Sequence, residues 1–530
     1  MLFEAGLTLL TLFILLYIYV TKNFNHWKNV GIPFIKGTFP AGSHIELITQ
    51  SRHMHDVFRE NYHKFRNQDF YGIYLFGKPV LVVQNVEMIR HVLVKDFNNF
   101  VNRNDSNLNS LFDGGEFDQF WAKQLIHLSG DEWKDVRSTF SPIFTSGKLK
   151  GMLMFMKEVG AVLKLELGKY ADSGEDFEIK DVFGKFTLDS LASCAFGINP
   201  KSFENSSTAF VRNAARIFTS TSLDNLKAFS RFLPFSAKLQ KRLNLNALKP
   251  KETKFFCDVI RSTVKHRRET GERRNDLIDL MIDCMKDASE LESNNENVED
   301  QYENDMKFEH KKRKIEIDDD VVVSTALNLL IAGYDTTALT LSFMGYFLSK
   351  HPDIQTKLQT EIDQVLEQGG VNLDYQDIQD LPYLEMCLLE SLRHLTPIGA
   401  ILRTCTTDYK FPNSNIAVKA NDLIIIPAAG IHKDERYFPR PNQFNPENFS
   451  KESKQLRSPY AFLGFGQGPR ACIGMRFALL EVKVAMIEVL ANYSFVCSGK
   501  NLEPLEIDPQ SIMGYVKGGL HARIERRRKH

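Results

Sequence analysis

Hydrophobic and polar positions fall into a few clear patterns along the chain. Residues 5–20 form an uncharged run of leucine, isoleucine and aromatic residues. At ~1.5 Å per residue this run reaches only ~24 Å against a ~30 Å hydrocarbon layer, so it needs its flanks to sit in a membrane. Tyr17, Tyr19, Lys22, Trp27 and Lys28 supply them. The stretch before the run carries Glu4 and no basic side chain, and no A-x-A-like site follows Val20, which points to an uncleaved anchor rather than a signal peptide. Lys22, Lys28 and Lys36 on the C-terminal side place the rest of the chain in the cytosol by the positive-inside rule. The expected organisation is an anchor over 1–21, a stiff linker over 22–44 punctuated by Gly31, Pro33, Gly37 and Gly42, and a body over 45–530.

Within the body, FYGIYLFGKPVLVV over 70–83 gives two β-branched and aromatic runs split at Gly77-Lys78-Pro79, a hairpin signal. From about Asp131 onward helical periodicity dominates. Pro352 suits a first helical turn, and Ile354, Leu358, Ile362 and Val365 share one face behind it. Residues 321–349 carry Asp335 as their only charge and are long enough to cross a bilayer. A mid-span carboxylate costs ~2.5–3.5 kcal/mol there, and Ser324, Thr325, Asn328, Thr336, Thr337 and Thr340 add polarity. The pattern therefore predicts the buried central helix of a soluble core, opened at Gly-Tyr-Asp-Thr-Thr. Residues 288–320 break the periodicity with clustered acids followed by Lys311, Lys312, Arg313 and Lys314, which reads as a solvated loop rather than a nuclear signal. No repeat of period 20 to 50 supports a solenoid or propeller. The fold class is mainly α with a small β part.

Composition narrows the function. With 43% hydrophobic and 25% charged residues, disorder is excluded for most of the 530-residue chain. Lys+Arg and Asp+Glu balance at 66 each, so no global positive field suits nucleic acid. The nearest two of the seven cysteines, Cys387 and Cys405, stand 18 residues apart, which excludes zinc ribbons, CxxC redox pairs and the CxxCH of covalent haem. Most of these thiols read as core residues in a reducing compartment.

The chemistry concentrates in FLGFGQGPRACIGMRFA over 462–478. Gly464, Gly466, Gly468 and Pro469 make a turn-rich loop that runs into Cys472, and Ile473, Phe477, Leu480, Val484 and Ile487 repeat at helical spacing after it. A cysteine at a helix N-terminus is favoured as a thiolate, hence a nucleophile or a metal ligand. The register of the glycines excludes a Rossmann loop. FGQGPRACIG resembles the haem-binding signature of the cytochrome P450 family, FxxGxRxCxG, continued by the family's alanine at Ala478. The resemblance implies that Cys472 is the axial thiolate ligand to the iron of haem b, that Arg470 pairs with a haem propionate, and that Phe465 packs beside the sulfur.

Three further patches resemble the family in the same order. Glu390 and Arg393 match ExxR on a helix expected over 384–395, where flanking Leu388, Leu389 and Leu392 suit a buried pair better than a surface salt bridge. Trp133 and Arg137 match WxxxR, with Arg137 on a propionate, and Arg403 resembles a further propionate arginine, giving three arginines for two carboxylates. Residues 332–337, Ala-Gly-Tyr-Asp-Thr-Thr, resemble the oxygen-activation motif, with Gly333 making room for a diatomic ligand, Thr336 donating a hydrogen bond and Asp335 relaying protons. Two positions depart from the family: Asn448 stands where PERF has its arginine, and Gly464 stands where a proline is common.

The chain most resembles microsomal xenobiotic-metabolising members of animals, especially insects. The implied fold is that of the family, behind an N-terminal membrane anchor in the endoplasmic reticulum membrane. The implied activity is monooxygenation of an apolar small molecule, with electrons delivered by NADPH-cytochrome reductase and cytochrome b5 as a second donor. By the same correspondence, substrate-lining residues fall within 101–120, 324–337, 396–402 and 511–515. From its own residues, 227–245 is expected to dip into the membrane surface, with Phe229, Phe232, Leu233, Phe235 and Leu239 among lysines and arginines. A haem-thiolate isomerase or dehydratase, and a non-enzymatic haem carrier or gas sensor, stand as alternatives. The first has no need of Asp335 and Thr336; turnover with NADPH separates the second.

Overall fold

The hairpin forms, with its turn one residue earlier than the sequence suggests. In the computed structural model, which describes residues 2–103, 116–217, 242, 249–286, 318–370, 373–511 and 513–528, β1 (Phe70–Leu75) and β2 (Lys78–Val83) pair from Phe70↔Val83 to Leu75↔Lys78. The two-residue turn is Phe76-Gly77, at φ 47° and 85°. Both positions are left-handed, as a tight hairpin turn requires, and nothing in the identity of Phe76 announces it. Pro79 falls inside β2 but ahead of Val80, where pairing with the next strand begins, so its missing N–H leaves that ladder intact.

Seven more strands complete three small sheets: β3 (Phe177–Glu178), β4 (Ile401–Thr404), β5 (Tyr409–Lys410), β6 (Ala417–Val418), β7 (Leu423–Ile426), β8 (Tyr493–Cys497) and β9 (His521–Arg526). Their orders are β1-β2-β7-β4, β3-β9-β8 and β5-β6. Among the described strands only β2 and β7 pair in parallel, and the chain between them holds most of the described helices.

The helices supply the frame that positions the site. The first, α1 (Leu2–Thr21), presents its apolar side chains to solvent along its length and is long and apolar enough to cross a membrane. The segment after it packs onto the hairpin. Trp27 is 4% exposed, its Nε1 donates to the Ile73 carbonyl at 2.9 Å, and its ring lies where a Cβ on Gly72 would come within 2.3 Å.

The core is built around α5 (Asp319–Lys350), packed against α4 (Ile179–Phe196), α7 (Pro382–His394) and α8 (Met475–Leu490). Another helix, α3 (Ser146–Ser173), packs on α4 and α8, and α2 (Gly130–Phe140) precedes it in the chain. The predicted helix behind Pro352 is α6 (Pro352–Gly369), with Pro352 in its first turn. Asp318 caps α5 by accepting from the Val321 N–H at 2.8 Å, and Asp319 and Asp320 fall in the first turn, where the helix dipole favours acids. The expectation that α5 opens at Gly-Tyr-Asp-Thr-Thr is corrected: the helix is continuous over 319–350, and the Thr336 hydroxyl bonds back to the Ala332 carbonyl at 2.6 Å within it. Apart from 318–320, the predicted solvated loop over 288–320 lies outside the described residues, as do 104–115, Ile512 and, apart from Arg242, 227–245.

Candidate active site

Residues 462–474 form an irregular loop that delivers Cys472 to the start of α8. Hydrogen bonds set its shape: Gly466 N–H to Leu463 O at 3.0 Å, Ala471 N–H to Gly468 O at 2.8 Å, and Cys472 N–H to Phe465 O at 2.9 Å. Gly468 stands at φ 70°, and a Cβ there would meet the Leu93 carbonyl oxygen at 1.9 Å, so only glycine lets the loop lie against residues 91–95. Cys472 is solvent-accessible as a residue although it lies deep within the protein, which sets it apart from the packed cysteines Cys194 and Cys387. Burial pushes the thiol up, and Arg137, the Gly474 N–H and Arg103 offset this only in part. The helix start alone does not make a thiolate here. A metal cation on the sulfur would, because a coordinating thiol is deprotonated outright.

Four guanidinium groups converge beside that sulfur. Arg470 donates to Val101 O at 2.9 Å and Leu128 O at 2.6 Å, and its charge sits 4.0 Å above the Trp133 ring. Arg137, one turn beyond Trp133 on α2, is buried with it. Arg403 on β4 is 1% exposed, and its Nε has no hydrogen-bond partner among the described residues. Arg103, which sequence reasoning missed, donates to the Arg470 carbonyl at 2.7 Å. Burial, then Arg103, Arg403 and Arg137, pull the Arg470 guanidinium down to about 7. Since a guanidinium keeps its proton in a protein, the cluster calls for anions. The two carboxylates of haem, above a sulfur ligand, fit this donor set.

Glu390 and Arg393 do not join that cluster. On α7 they are both fully buried and form two hydrogen bonds, Nε to Oε2 at 2.7 Å and Nη2 to Oε1 at 2.8 Å. Glu390 Oε1 also accepts from Asn445 N–H at 2.8 Å and Asn448 Nδ2 at 3.1 Å. Asn448 therefore replaces the family's arginine as a neutral donor to the carboxylate. Burial pushes the Glu390 carboxyl up, but the Arg393 and His394 hydrogen bonds outweigh it and hold the group at about 2. The remaining Arg393 donors go to the carbonyls of His432 at 2.7 Å, Pro441 at 2.9 Å and Gln443 at 3.2 Å.

On α5, neighbouring residues face different surroundings. Ala332 and Thr336, one turn apart, are accessible in the middle of a buried helix. Asp335 is fully buried on another face, accepts a hydrogen bond from the Tyr515 hydroxyl, and lies 3.1 Å from Lys180 Nζ. Gly333 also meets α4. A Cβ there would meet Leu191 of α4 at 3.0 Å, so the glycine serves the close approach of α4 and α5. Sequence reasoning also missed Glu481 on α8, fully buried, which faces the Ser190 and Thr337 hydroxyls; burial pushes it up to about 8 against their pull. Its signal was present, since it falls on the apolar face between Phe477 and Val484.

A cytochrome P450 family model matches residues 36–520. The chain is 32% identical to cytochrome P450 6j1 of Blattella germanica, covering 97% of this chain and 96% of that protein. It is 32% identical to probable cytochrome P450 6a13 of Drosophila melanogaster and 31% identical to cytochrome P450 6B1 of Papilio polyxenes, covering 97% of each chain in both comparisons.

Proposed function

Because the chain belongs to the cytochrome P450 family, we propose that it is an endoplasmic reticulum enzyme that inserts one atom of dioxygen into an apolar small molecule, a xenobiotic or an endogenous lipid or hormone, with electrons from NADPH. It is a monooxygenase whose cofactor is haem held by a cysteine thiolate. The observation that carries the reading is the accessible Cys472 set beside a buried cluster of guanidinium groups. Haem, when bound, supplies the iron at which dioxygen is activated.

The protein's own residues take the remaining roles. Cys472 binds through sulfur, and Phe465 holds its backbone N–H. Arg103, Arg137, Arg403 and Arg470 bind the two propionates by charge-assisted hydrogen bonds, with Trp133 stacked under Arg470. Glu390 and Arg393 act from behind the loop. Thr336 keeps its hydroxyl proton on the Ala332 carbonyl and is accessible within the buried helix. Asp335 accepts from the Tyr515 hydroxyl, and Tyr515 lines a 250 Å³ cavity with Glu178, Lys180 and Asp508, so a proton relayed from that side would reach the residue next to Thr336. The exposed α1 anchors the enzyme with its body in the cytosol, where NADPH-cytochrome reductase and cytochrome b5 reach it.

The test is reconstitution with reductase and NADPH against a broad panel of apolar compounds, reading spectral shifts on binding and oxygenated products. Products carrying an atom from labelled dioxygen are expected, and Thr336→Ala should keep haem and substrate binding while product formed per NADPH falls at least about 10-fold and hydrogen peroxide rises in its place. Product formed without NADPH would favour an isomerase or dehydratase. Substrate binding without any turnover would favour a carrier or sensor.

A further inference from the structure

Glu390 and Arg393 sit away from the guanidinium cluster, yet one residue connects them to the loop that carries Cys472. We infer that His432 is the positioning residue that couples the Glu390–Arg393 pair to the Cys472 loop; this rests on the haem-thiolate reading. Arg393 Nη1 donates to the His432 carbonyl at 2.7 Å, and the His432 Nε2 accepts the Leu463 N–H at 2.9 Å. The Leu463 carbonyl in turn accepts from Gly466, and Phe465 accepts from Cys472. A continuous set of hydrogen bonds thus runs from Glu390 to the backbone of the cysteine.

The chemistry of the imidazole fits this role. With Nε2 accepting, the ring proton must be on Nδ1, and that atom has no hydrogen-bond partner among the described residues. An apolar ring would fill the same fully buried space without burying an unmet donor. What histidine adds is the acceptor for Leu463. Burial, then Arg393, Lys433 and Arg457, hold the imidazole down to about 3, so it is neutral and able to accept. The ring also stacks on Phe462 at 5.3 Å and 17°. Phe462 occupies space that Gly464 leaves open: a Cβ at 464 would lie 2.7 Å from its Cζ. With glycine at 464 in place of a proline, the entry to the loop is held by the imidazole on Leu463 and the phenylalanine stacked upon it.

The experiment compares wild type, His432→Phe and His432→Gln as full-length, haem-loaded proteins. Phenylalanine keeps a ring for Phe462 and removes the acceptor, and glutamine restores an acceptor. In His432→Phe, Leu463 amide hydrogen exchange and thermal loss of the thiolate-shifted carbonyl band should both speed up by about 3- to 10-fold, the factor for one neutral hydrogen bond. His432→Gln should recover most of each. Unchanged rates in His432→Phe, or equal loss in both variants, would overturn the assignment. Nitrogen-15 spectra of the wild type decide it without any variant: the Nδ1–H tautomer is expected, and an Nε2–H tautomer contradicts it. Absence of the shifted band from wild type would reject the haem-thiolate reading, while Leu463 exchange and the tautomer still decide the role of His432.

Discussion

Glu390 and Arg393 share two hydrogen bonds out of reach of solvent, whereas Arg103, Arg403 and Arg470, enclosed near the same loop, meet no carboxylate among the described residues. The first assembly is complete within the chain: carboxylate, guanidinium, backbone amide and three carbonyls satisfy one another. Among the described residues nothing neutralises the second, and an anionic ligand would complete it. A buried ion pair with one partner removed costs ~3–5 kcal/mol, so the completed network organises the fold before any cofactor arrives. An unmatched cation cluster instead stores affinity for what will neutralise it. This difference separates residues that build the site from residues that hold its occupant.

Breaking the complete assembly should have the largest effect. Arg393→Ala leaves Glu390 buried and charged, and the expected loss of ~3–5 kcal/mol should prevent recovery of folded, haem-loaded protein. Soluble yield and thermal unfolding check this; a haem-replete variant of normal stability would show that the pair does not organise the fold.

A second contrast sets Glu390 against Glu481. Glu390 is held at about 2, below its usual 4.5, so its contribution to stability is present above the usual value and is lost as pH falls toward 2. Glu481 is pushed up to about 8, so below pH 4.5 both folded and unfolded states keep the proton and nothing is lost. Between pH 4.5 and 8 the unfolded state releases it first, and stability falls by at most ~1.4 kcal/mol per pH unit. Glu481→Gln should therefore raise the melting temperature, and by more at pH 8 than at pH 5. A gain that does not grow with pH would mean the carboxyl is not held neutral.

Breaking the incomplete cluster should have a smaller and different effect. Arg403→Met removes a buried cation whose Nε has no partner, so the apoprotein should be as stable as wild type or more so. Haem should leave about 10- to 100-fold faster, the equivalent of one charge-assisted hydrogen bond of ~1.5–3 kcal/mol. Stopped-flow transfer of haem to an acceptor globin measures the rate. An apoprotein destabilised like Arg393→Ala would erase the distinction between the two assemblies.

How legible these parts are in the sequence follows from the range of the interactions that make them. The helices α6 and α8 declare themselves by periodicity, α5 by its long, nearly uncharged run, and Cys472, Arg470 and Phe465 by one contiguous loop. Long-range contacts leave no such trace. Arg103 reaches Arg470 across 367 positions, and His432 reaches Leu463 through packing that no local pattern encodes. Gly333 shows a related limit: the motif marks the position, but only the close approach of Leu191 reveals which neighbour needs the missing side chain. Asn448 is visible as a departure from the family, while its hydrogen bond to Glu390 and the backbone amide of Asn445 beside it show how the network is completed without the arginine.

The central claim is that Cys472 is the sulfur ligand to haem iron, and the spectrum of the reduced, carbonyl-bound protein tests it most directly. Wild type should show the red-shifted Soret band of thiolate ligation, and each of the other six cysteines should be replaceable without losing it. Cys472→Ala should abolish the band even when haem is present. A shifted band that survives in Cys472→Ala would contradict the account.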